Sequence, residues 1–317
     1  MKLDKAPDLR STIQQFEDFV LKHWIKPQAQ LTSDHPETLW QQALNNKGWS
    51  TPDWPAHLGG TNWTAIERYH WHKITCQARC PPGDILAKEL VGPLLFSFGN
   101  SQQITYLDGI RNGTDIWGLA RSQGNHAVDP LHISAGTTKL LLILEQSAHQ
   151  SNLTLANQPA KVLGQPGPLQ INKDFELLGH SNQAHRMMKA VQLKYQPVAA
   201  ICRTAGAIDH LALAIATGRT TRQEQQVFAE ISIAQHGIEI YCQRLLAAEQ
   251  TELMPLVTRA ARKIMIKIKT LEQSLAGYYG LTAATEPGSN EKKTPINEFT
   301  DIFQYCEPLD LFDSFAE

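Results

Sequence analysis

The sequence predicts a mainly α fold with a small β region set between two helical stretches. Three observations carry this. Apolar residues recur at helical spacing from Asp8 to about Asn112, and again from Asn182 onward. Between Asp115 and Leu178 the pattern changes to short apolar runs separated by Gly, Pro, Asn and Ser, as strands and turns require. The 317 residues, 42% hydrophobic and 19% charged, are ordinary globular composition and enough to bury a sizeable core.

Asp8 to roughly Gln28 reads as an amphipathic helix, with Ile13, Phe16, Phe19 or Val20, and Trp24 along one face. Pro36 suits the first turn of a second helix, which Asn45-Asn46-Lys47-Gly48 stops. Gly48 to Thr61 is rich in Pro and Gly and reads as loop. Thr61 to Cys80 returns to helix, and Pro81-Pro82-Gly83 breaks it. Ile85 to Phe98 is an apolar helix, and Ser101 is placed to cap another that ends near Asn112-Gly113. In the β region, strands are expected at Ile116–Ala120, Lys139–Leu144, Leu153–Ala156 and Leu169–Ile171. Three long helices follow: Ala184 to Ala216, Arg222 to Ala248 and Leu253 to Tyr279. The predicted organisation is a helical domain over 1–114, a β domain over 115–180, a helical domain over 181–281, and a polar linker and tail over 282–317.

A formal net charge of -2 gives no electrostatic reason to expect a nucleic-acid partner. The longest apolar run, Lys139 to Leu144, is far too short to span a bilayer. The opening MKLDKAPDLR lacks the apolar core of a secretory signal. Five cysteines suggest free thiols and a cytoplasmic setting. Cys76 and Cys80, with His70 and His72 upstream, have a spacing that zinc would accept. No second ligand pair follows, so the preferred reading is two buried thiols on one helix face, with no metal.

The stretch Gly48-Trp49-Ser50-Thr51-Pro52-Asp53-Trp54-Pro55-Ala56-His57-Leu58-Gly59-Gly60-Thr61-Asn62-Trp63 resembles the GW-x-x-P-x-WP-x-x-x-GG-x-x-W segment of acyl-CoA dehydrogenases. Further segments follow in the family's order: Val91-Gly92-Pro93, Phe98-Gly99, Gln102 and Gln103, Tyr106-Leu107-Asp108-Gly109-Ile110, then Gly113, Asp115, Ile116 and Trp117. Pro197-Val198-Ala199-Ala200, Gln226-Val227 and Gln273 to Thr282 resemble the family's C-terminal helices more weakly. The resemblance runs from roughly Lys22 to Leu281. It implies the acyl-CoA dehydrogenase fold, with FAD as cofactor, an acyl-CoA as substrate and an electron-transfer flavoprotein as electron acceptor.

Four departures bear on chemistry. The family's W-x-x-x-(F/Y)-(S/T)-E-P-x-A-G-S-D loop, which approaches the flavin, is here Trp117 to Asp129. It keeps Ser122 but has Gln123-Gly124 for Glu-Pro and Ala127-Val128 for Gly-Ser. The N-G-x-K-x-(W/F)-I-(T/S) segment that packs on the flavin ring has no counterpart, and the β region is about half the family's size. Its barrel is expected to stay open, with edges for another chain to cover. The R-x-x-FG segment, which reaches across a dimer to the partner's FAD, has lost Phe-Gly but keeps Arg219 and Arg222. Finally, abstraction of a proton α to the thioester needs an aimed carboxylate. One family position for it holds Lys194 and Tyr195. Near the other lies only Glu286, in a breaker-rich stretch.

By resemblance, then, the cofactor contacts of this chain are Ser122, Arg219, Arg222, Gln273 and Gly277, and Glu286 is the one candidate base. The resemblance implies the reduced subunit of a heterotetrameric dehydrogenase of bulky acyl-CoA thioesters, such as those of steroid side chains. A full-length acyl-CoA dehydrogenase partner would then supply the catalytic Glu and most FAD contacts. Two alternatives stay open: a self-sufficient homo-oligomeric dehydrogenase with an atypical site using Glu286, and a non-enzymatic acyl-CoA-binding or scaffold protein of the same fold.

Overall fold

A computed structural model describes residues 8–29, 35–124, 127–132, 140–146, 151–157, 169–170, 176–195, 197–217 and 220–283. These form two compact units, each assembled from separate stretches of the chain.

The first unit is helical. Helix α1 (Leu9–Val20) passes through a π turn at Leu21–Ile25 into α2 (Lys26–Ala29). Pro27 accounts for the turn. A proline has no N–H to donate, and its ring collides with the carbonyl of the preceding turn. The wider π turn, closed by the Lys26 N–H on the Leu21 carbonyl, relieves the crowding. Helix α4 (Ala65–Gln77) starts later than Thr61, because Thr64 forms a capping box with Glu67 and fixes the first turn there. Cys80 falls beyond the end of α4, where its N–H donates to the Thr75 carbonyl at 2.9 Å. Cys76 and Cys80 therefore do not share a helix face, as the sequence suggested. Burial pushes the Cys80 thiol up.

Three long helices complete this unit: α9 (Pro197–Thr217), α10 (Arg222–Ala247) and α11 (Met254–Ala283). The expected helix from Ala184 to Ala216 corresponds to α8 (Ala184–Tyr195) in the second unit and α9 in the first, with residue 196 between them outside the described residues. Helix α11 runs on to Ala283, past the expected end at Tyr279 and into the predicted linker. Helices α4 and α9 approach closely at Gly206, where a Cβ would stand 3.0 Å from Cys76 Cβ and 3.1 Å from its carbonyl oxygen. A half-buried polar cluster ties α4 to α10: Lys73 Nζ meets Glu239 Oε2 at 2.7 Å, and the Tyr69 hydroxyl donates to the same oxygen at 3.3 Å. Gln243 Nε2 donates to the Tyr69 hydroxyl at 3.2 Å.

The second unit holds α3 (Pro36–Lys47), α5 (Gly92–Phe98), α6 (Ser101–Ile104), α7 (Tyr106–Asn112), a sheet, and α8 (Ala184–Tyr195). Ile85 to Phe98 is helical as expected, but a π turn at Ala87–Val91 interrupts it two residues before Pro93. There the Gly92 N–H bonds to the Ala87 carbonyl. The Lys88 carbonyl thus loses its partner within the helix, since residue 93 has no N–H. The Trp54 indole supplies one, donating from Nε1 to the Lys88 oxygen at 2.8 Å. Its ring lies so close over Gly92 that a Cβ there would overlap it.

The cap of α6 is Asn100, not Ser101. Its side chain accepts from the Gln102 and Gln103 N–H groups, and Gln103 returns a bond to the Asn100 N–H. Gln103 is buried, and its Nε2 also donates to the Leu177 carbonyl at 2.9 Å.

The sheet has the order β5-β2-β1-β3-β4-β6, with β1 (Trp117–Gly124), β2 (Ala127–His132), β3 (Leu140–Gln146), β4 (Ser151–Asn157), β5 (Leu169–Gln170) and β6 (Glu176–Leu178). Strands β2 and β6 were not expected from the sequence, β2 because Pro130 lies inside it. The register shifts beside Pro130, opposite Leu119 and Ala120, which is where a ladder tolerates a residue without an N–H. The central pair, β1 and β3, is parallel. Leu140, Leu142 and Leu144 point into a core with Trp117, Leu119, Leu153 and Leu155, while Leu141 and Ile143 on the opposite face are also buried. The unbroken Leu-Leu-Leu-Ile-Leu run is the composition of a strand covered on both faces. Among the described residues the sheet does not close on itself, and its edge strands β5 and β6 are short.

The contact between Trp54 and Gly92 yields a direct prediction. Gly92→Ala should destabilise the protein by about 2–3 kcal/mol, because the indole cannot give way. Trp54→Phe keeps the ring but strands the Lys88 carbonyl, and should cost about 1–3 kcal/mol. Urea unfolding midpoints of the two variants, at unchanged slope, measure both.

Candidate functional site

Of the residues expected to touch a cofactor, Arg222 lies at the start of α10 and Gln273 on α11, next in sequence to the residue that bonds Glu224. Thr221, in extended backbone, caps α10 through a reciprocal box with Glu224. The Glu224 N–H donates to Thr221 Oγ1 at 3.2 Å, and Glu224 Oε2 accepts from the Thr221 N–H and hydroxyl at 2.8 and 2.9 Å. The other carboxylate oxygen of Glu224 accepts from the Ser274 hydroxyl of α11 at 2.9 Å. These bonds, the Thr221 N–H foremost, hold the Glu224 carboxyl below its ordinary range. They also fix the start of α10 against the stretch of α11 that carries Gln273.

Arg222, the first residue of α10, and Gln273 are both exposed here, and Gly277 lies one turn further along α11. A helix start commonly receives phosphate on its free N–H groups. At α10 the Glu224 carboxylate already occupies that place and would repel an anion. The Arg222 guanidinium is therefore the group available to a phosphate.

Ser122 belongs to the second unit, on β1, where its partner across the hairpin is Val128. The segment in which the resemblance expects flavin contacts is thus a paired hairpin, with Gly124 opposite Ala127. Lys194, at one family position for the base, is exposed at the end of α8, its Nζ 5.1 Å from the Tyr195 ring centroid. Tyr195 in turn packs edge-on against Phe96 at 5.4 Å, and Phe96 against Trp54 at 5.7 Å. Arg219 and Glu286 lie outside the described residues.

Sequence reasoning missed Glu272. It falls on the stripe of α11 that includes the buried Met265 and Ile268. A carboxyl at that helical spacing is the signal that could have found it. Oε1 is buried without a hydrogen-bond partner. Burial raises the carboxyl to about 9, against the opposing influence of Lys269. Glu272 is thus a neutral acid at pH 7, one residue from Gln273. Among the described residues, no cluster of His, Cys, Asp and Glu is arranged to hold a metal ion, and no helix is long and apolar enough to cross a membrane.

No sequence-family profile and no curated protein matches the chain. Solved structures do. The "Tcur3481-Tcur3483 steroid ACAD" superposes with a TM-score of 0.60 at 12% identity, covering 97% of this chain and 94% of that one.

The chain has the acyl-CoA dehydrogenase fold.

A subunit of the ChsE4-ChsE5 complex from Mycobacterium tuberculosis matches with a TM-score of 0.58 at 15% identity, covering 98% of this chain and 94% of that one. An acyl-CoA dehydrogenase from Bacillus anthracis complexed with FAD matches with a TM-score of 0.51 at 14% identity, covering 99% of this chain and 68% of the longer one. On this fold, the described part of the expected cofactor set narrows to Arg222, Gln273 and Gly277 in one unit and Ser122 in the other.

The Glu272 carboxyl gives the site a pH signature. Its folded-state pKa lies above its unfolded value, so the native state holds the extra proton between about 4.5 and 9. The stability this contributes is complete below the unfolded value and is lost as pH rises through the folded one, with a slope of at most about 1.4 kcal/mol per pH unit. Glu272→Gln should flatten that decline, visible as smaller differences among urea midpoints at pH 5, 7 and 8.5.

Proposed function

We propose that this chain is a subunit of a flavin-dependent acyl-CoA dehydrogenase whose catalytic carboxylate and most FAD contacts come from a partner subunit. The observation that carries the reading is Lys194. The position where the resemblance expects the base holds an exposed cation resting on Tyr195, on a fold otherwise that of the enzymes. An ammonium carries three donors and no lone pair to accept the α proton, and Lys194 stands exposed at the end of α8.

Support for a two-chain assembly comes from the structural neighbours, since the Tcur3481-Tcur3483 and ChsE4-ChsE5 structures each name two chains. Support for an outlying cofactor contact comes from Arg222 and Gln273, an exposed cation and an exposed amide on the two helices that the Glu224–Ser274 bond joins. FAD, bound in the assembled enzyme, would accept the hydride from the β carbon of the thioester. Arg222 would hold a phosphate oxygen and Gln273 would orient a neighbouring polar group. A bulky acyl group such as a steroid side chain is the substrate class the first of these neighbours suggests, with an electron-transfer flavoprotein as acceptor and the cytoplasm as setting.

Two results are expected. Purified by itself, the chain should carry little flavin. Co-purified with a full-length acyl-CoA dehydrogenase encoded beside it, the pair should be yellow, and Arg222→Ala should weaken flavin retention by about ten- to a hundredfold. That is the loss expected when a charge-assisted contact worth about 1.5–3 kcal/mol is removed. Flavin absorbance per complex measures both. Stoichiometric flavin on the chain alone would overturn the partner-held site, and full retention in Arg222→Ala would remove the phosphate contact.

A further inference from the structure

Helix α10 buries one side in the bundle through Ile231, Gln235, Cys242, Leu245 and Leu246. Its other side is exposed and apolar at the centre: Ile233 is 75% exposed, Ile240 41% and Tyr241 47%. Gly237 sits in the middle of this stripe. Nothing among the described residues explains a glycine there, because a Cβ at that point would meet none of their atoms within 4 Å. Its φ is not positive, and a glycine inside an exposed helix costs about 1 kcal/mol relative to alanine. A bare backbone in an apolar helix stripe is the feature that lets a second helix cross at close range.

The residues around Gly237 also say which helix. Glu230 lies seven positions before it and Arg244 seven after, and both are exposed. Ile233 lies four before and Tyr241 four after. The stripe is therefore complementary to its own reverse. We propose that α10 packs antiparallel against α10 of a second copy of this chain, with Gly237 on the two-fold axis. In that arrangement Glu230 of each copy faces Arg244 of the other, and Ile233 faces Tyr241, as an isologous interface requires. Glu230 and Arg244 each stand roughly 10 Å along the helix from the crossing point, so long side chains still meet across a shallow crossing angle. Within one chain they are separated by about 21 Å and cannot pair.

The interface does not rest on the flavin reading. It would stand if Arg222 proved irrelevant to FAD, and a failure here would leave the cofactor contact untouched. In an assembly with a dehydrogenase partner, this axis would join two copies of the present chain.

The test is sedimentation velocity on the full chain over a concentration series, with circular dichroism to confirm that each variant is folded. The wild type should run as a dimer. Ile233→Glu should weaken dimerisation at least tenfold. Gly237→Ala should weaken it too while leaving the thermal midpoint of the folded chain unchanged or higher, the sign opposite to that of a packing defect. Glu230→Arg and Arg244→Glu should each weaken the dimer, and the two combined should restore it, because the swapped charges face each other again. Gly237→Cys should form a disulfide between the two copies at position 237 under mild oxidation, identified by peptide mass spectrometry. A wild-type monomer at every concentration would overturn the proposal. So would a double swap no better than its parents, or a Gly237→Cys crosslink found only to a co-purified dehydrogenase subunit.

Discussion

The Lys88 carbonyl is the constraint around which the second unit is organised. Pro93 removes the N–H that would have satisfied it, and the π turn at Ala87–Val91 moves the neighbouring donor, Gly92, onto Ala87. A carbonyl stranded in a core is costly, so a donor must come from outside the helix. Trp54 brings one, and Gly92 is the residue that lets its indole come near enough. From this bond the rest follows. The loop from Gly48 to Asn62 is pinned to the helix, Phe96 packs edge-on against Trp54, and Tyr195 packs on Phe96. The same helix is joined to the sheet through Asp84, which accepts from the Ala87 N–H at its start and from the Trp117 N–H at the head of β1. Lys88 itself sits half-buried against Gln41 and the Pro82 carbonyl, and burial pushes its ammonium down to about 8.

The helical unit solves a different problem. Long amphipathic helices slide unless something specific fixes their register. The Tyr69–Lys73–Glu239 cluster does so between α4 and α10, with every member bonded to another, and Gly206 sets how closely α9 approaches α4. At the far end of α10, the Thr221–Glu224 box and Ser274 set the register of α10 against α11. The exposed Arg222 and Gln273 sit where that junction holds them. The Thr221–Glu224–Ser274 bonds are thus structural, and Arg222 and Gln273 beside them in sequence are exposed.

The motif residues behind the resemblance serve the fold almost entirely. Trp54, Gly92 and Pro93 make the bond just described. Gly60 lets the Trp54 carbonyl pass where a Cβ would block it, and Gly109 leaves room for the Asp115 carboxylate. Gln103 closes a capping box and satisfies an edge-strand carbonyl. The departures fall at other positions: the β1–β2 hairpin, Lys194 and the start of α10. A chain can therefore keep the acyl-CoA dehydrogenase fold while its residues for flavin and proton transfer change, because the two sets barely overlap.

The sequence by itself determined the helix–sheet–helix order, most helix boundaries and the fold, since periodicity, proline and glycine act over a few residues and are read locally. Arg222, Gln273 and Lys194 were singled out by their place in a motif order, which is likewise read along the chain. Only the tertiary structure decided the rest. The cap at Asn100 rather than Ser101 and the strand that runs through Pro130 depend on which distant group satisfies each backbone polar atom. The neutral carboxyl of Glu272 depends on what buries it, and the exposed face around Gly237 on which side of α10 the bundle uses. Burial and hydrogen-bond partners at long range are properties of the folded chain, and no local pattern encodes them.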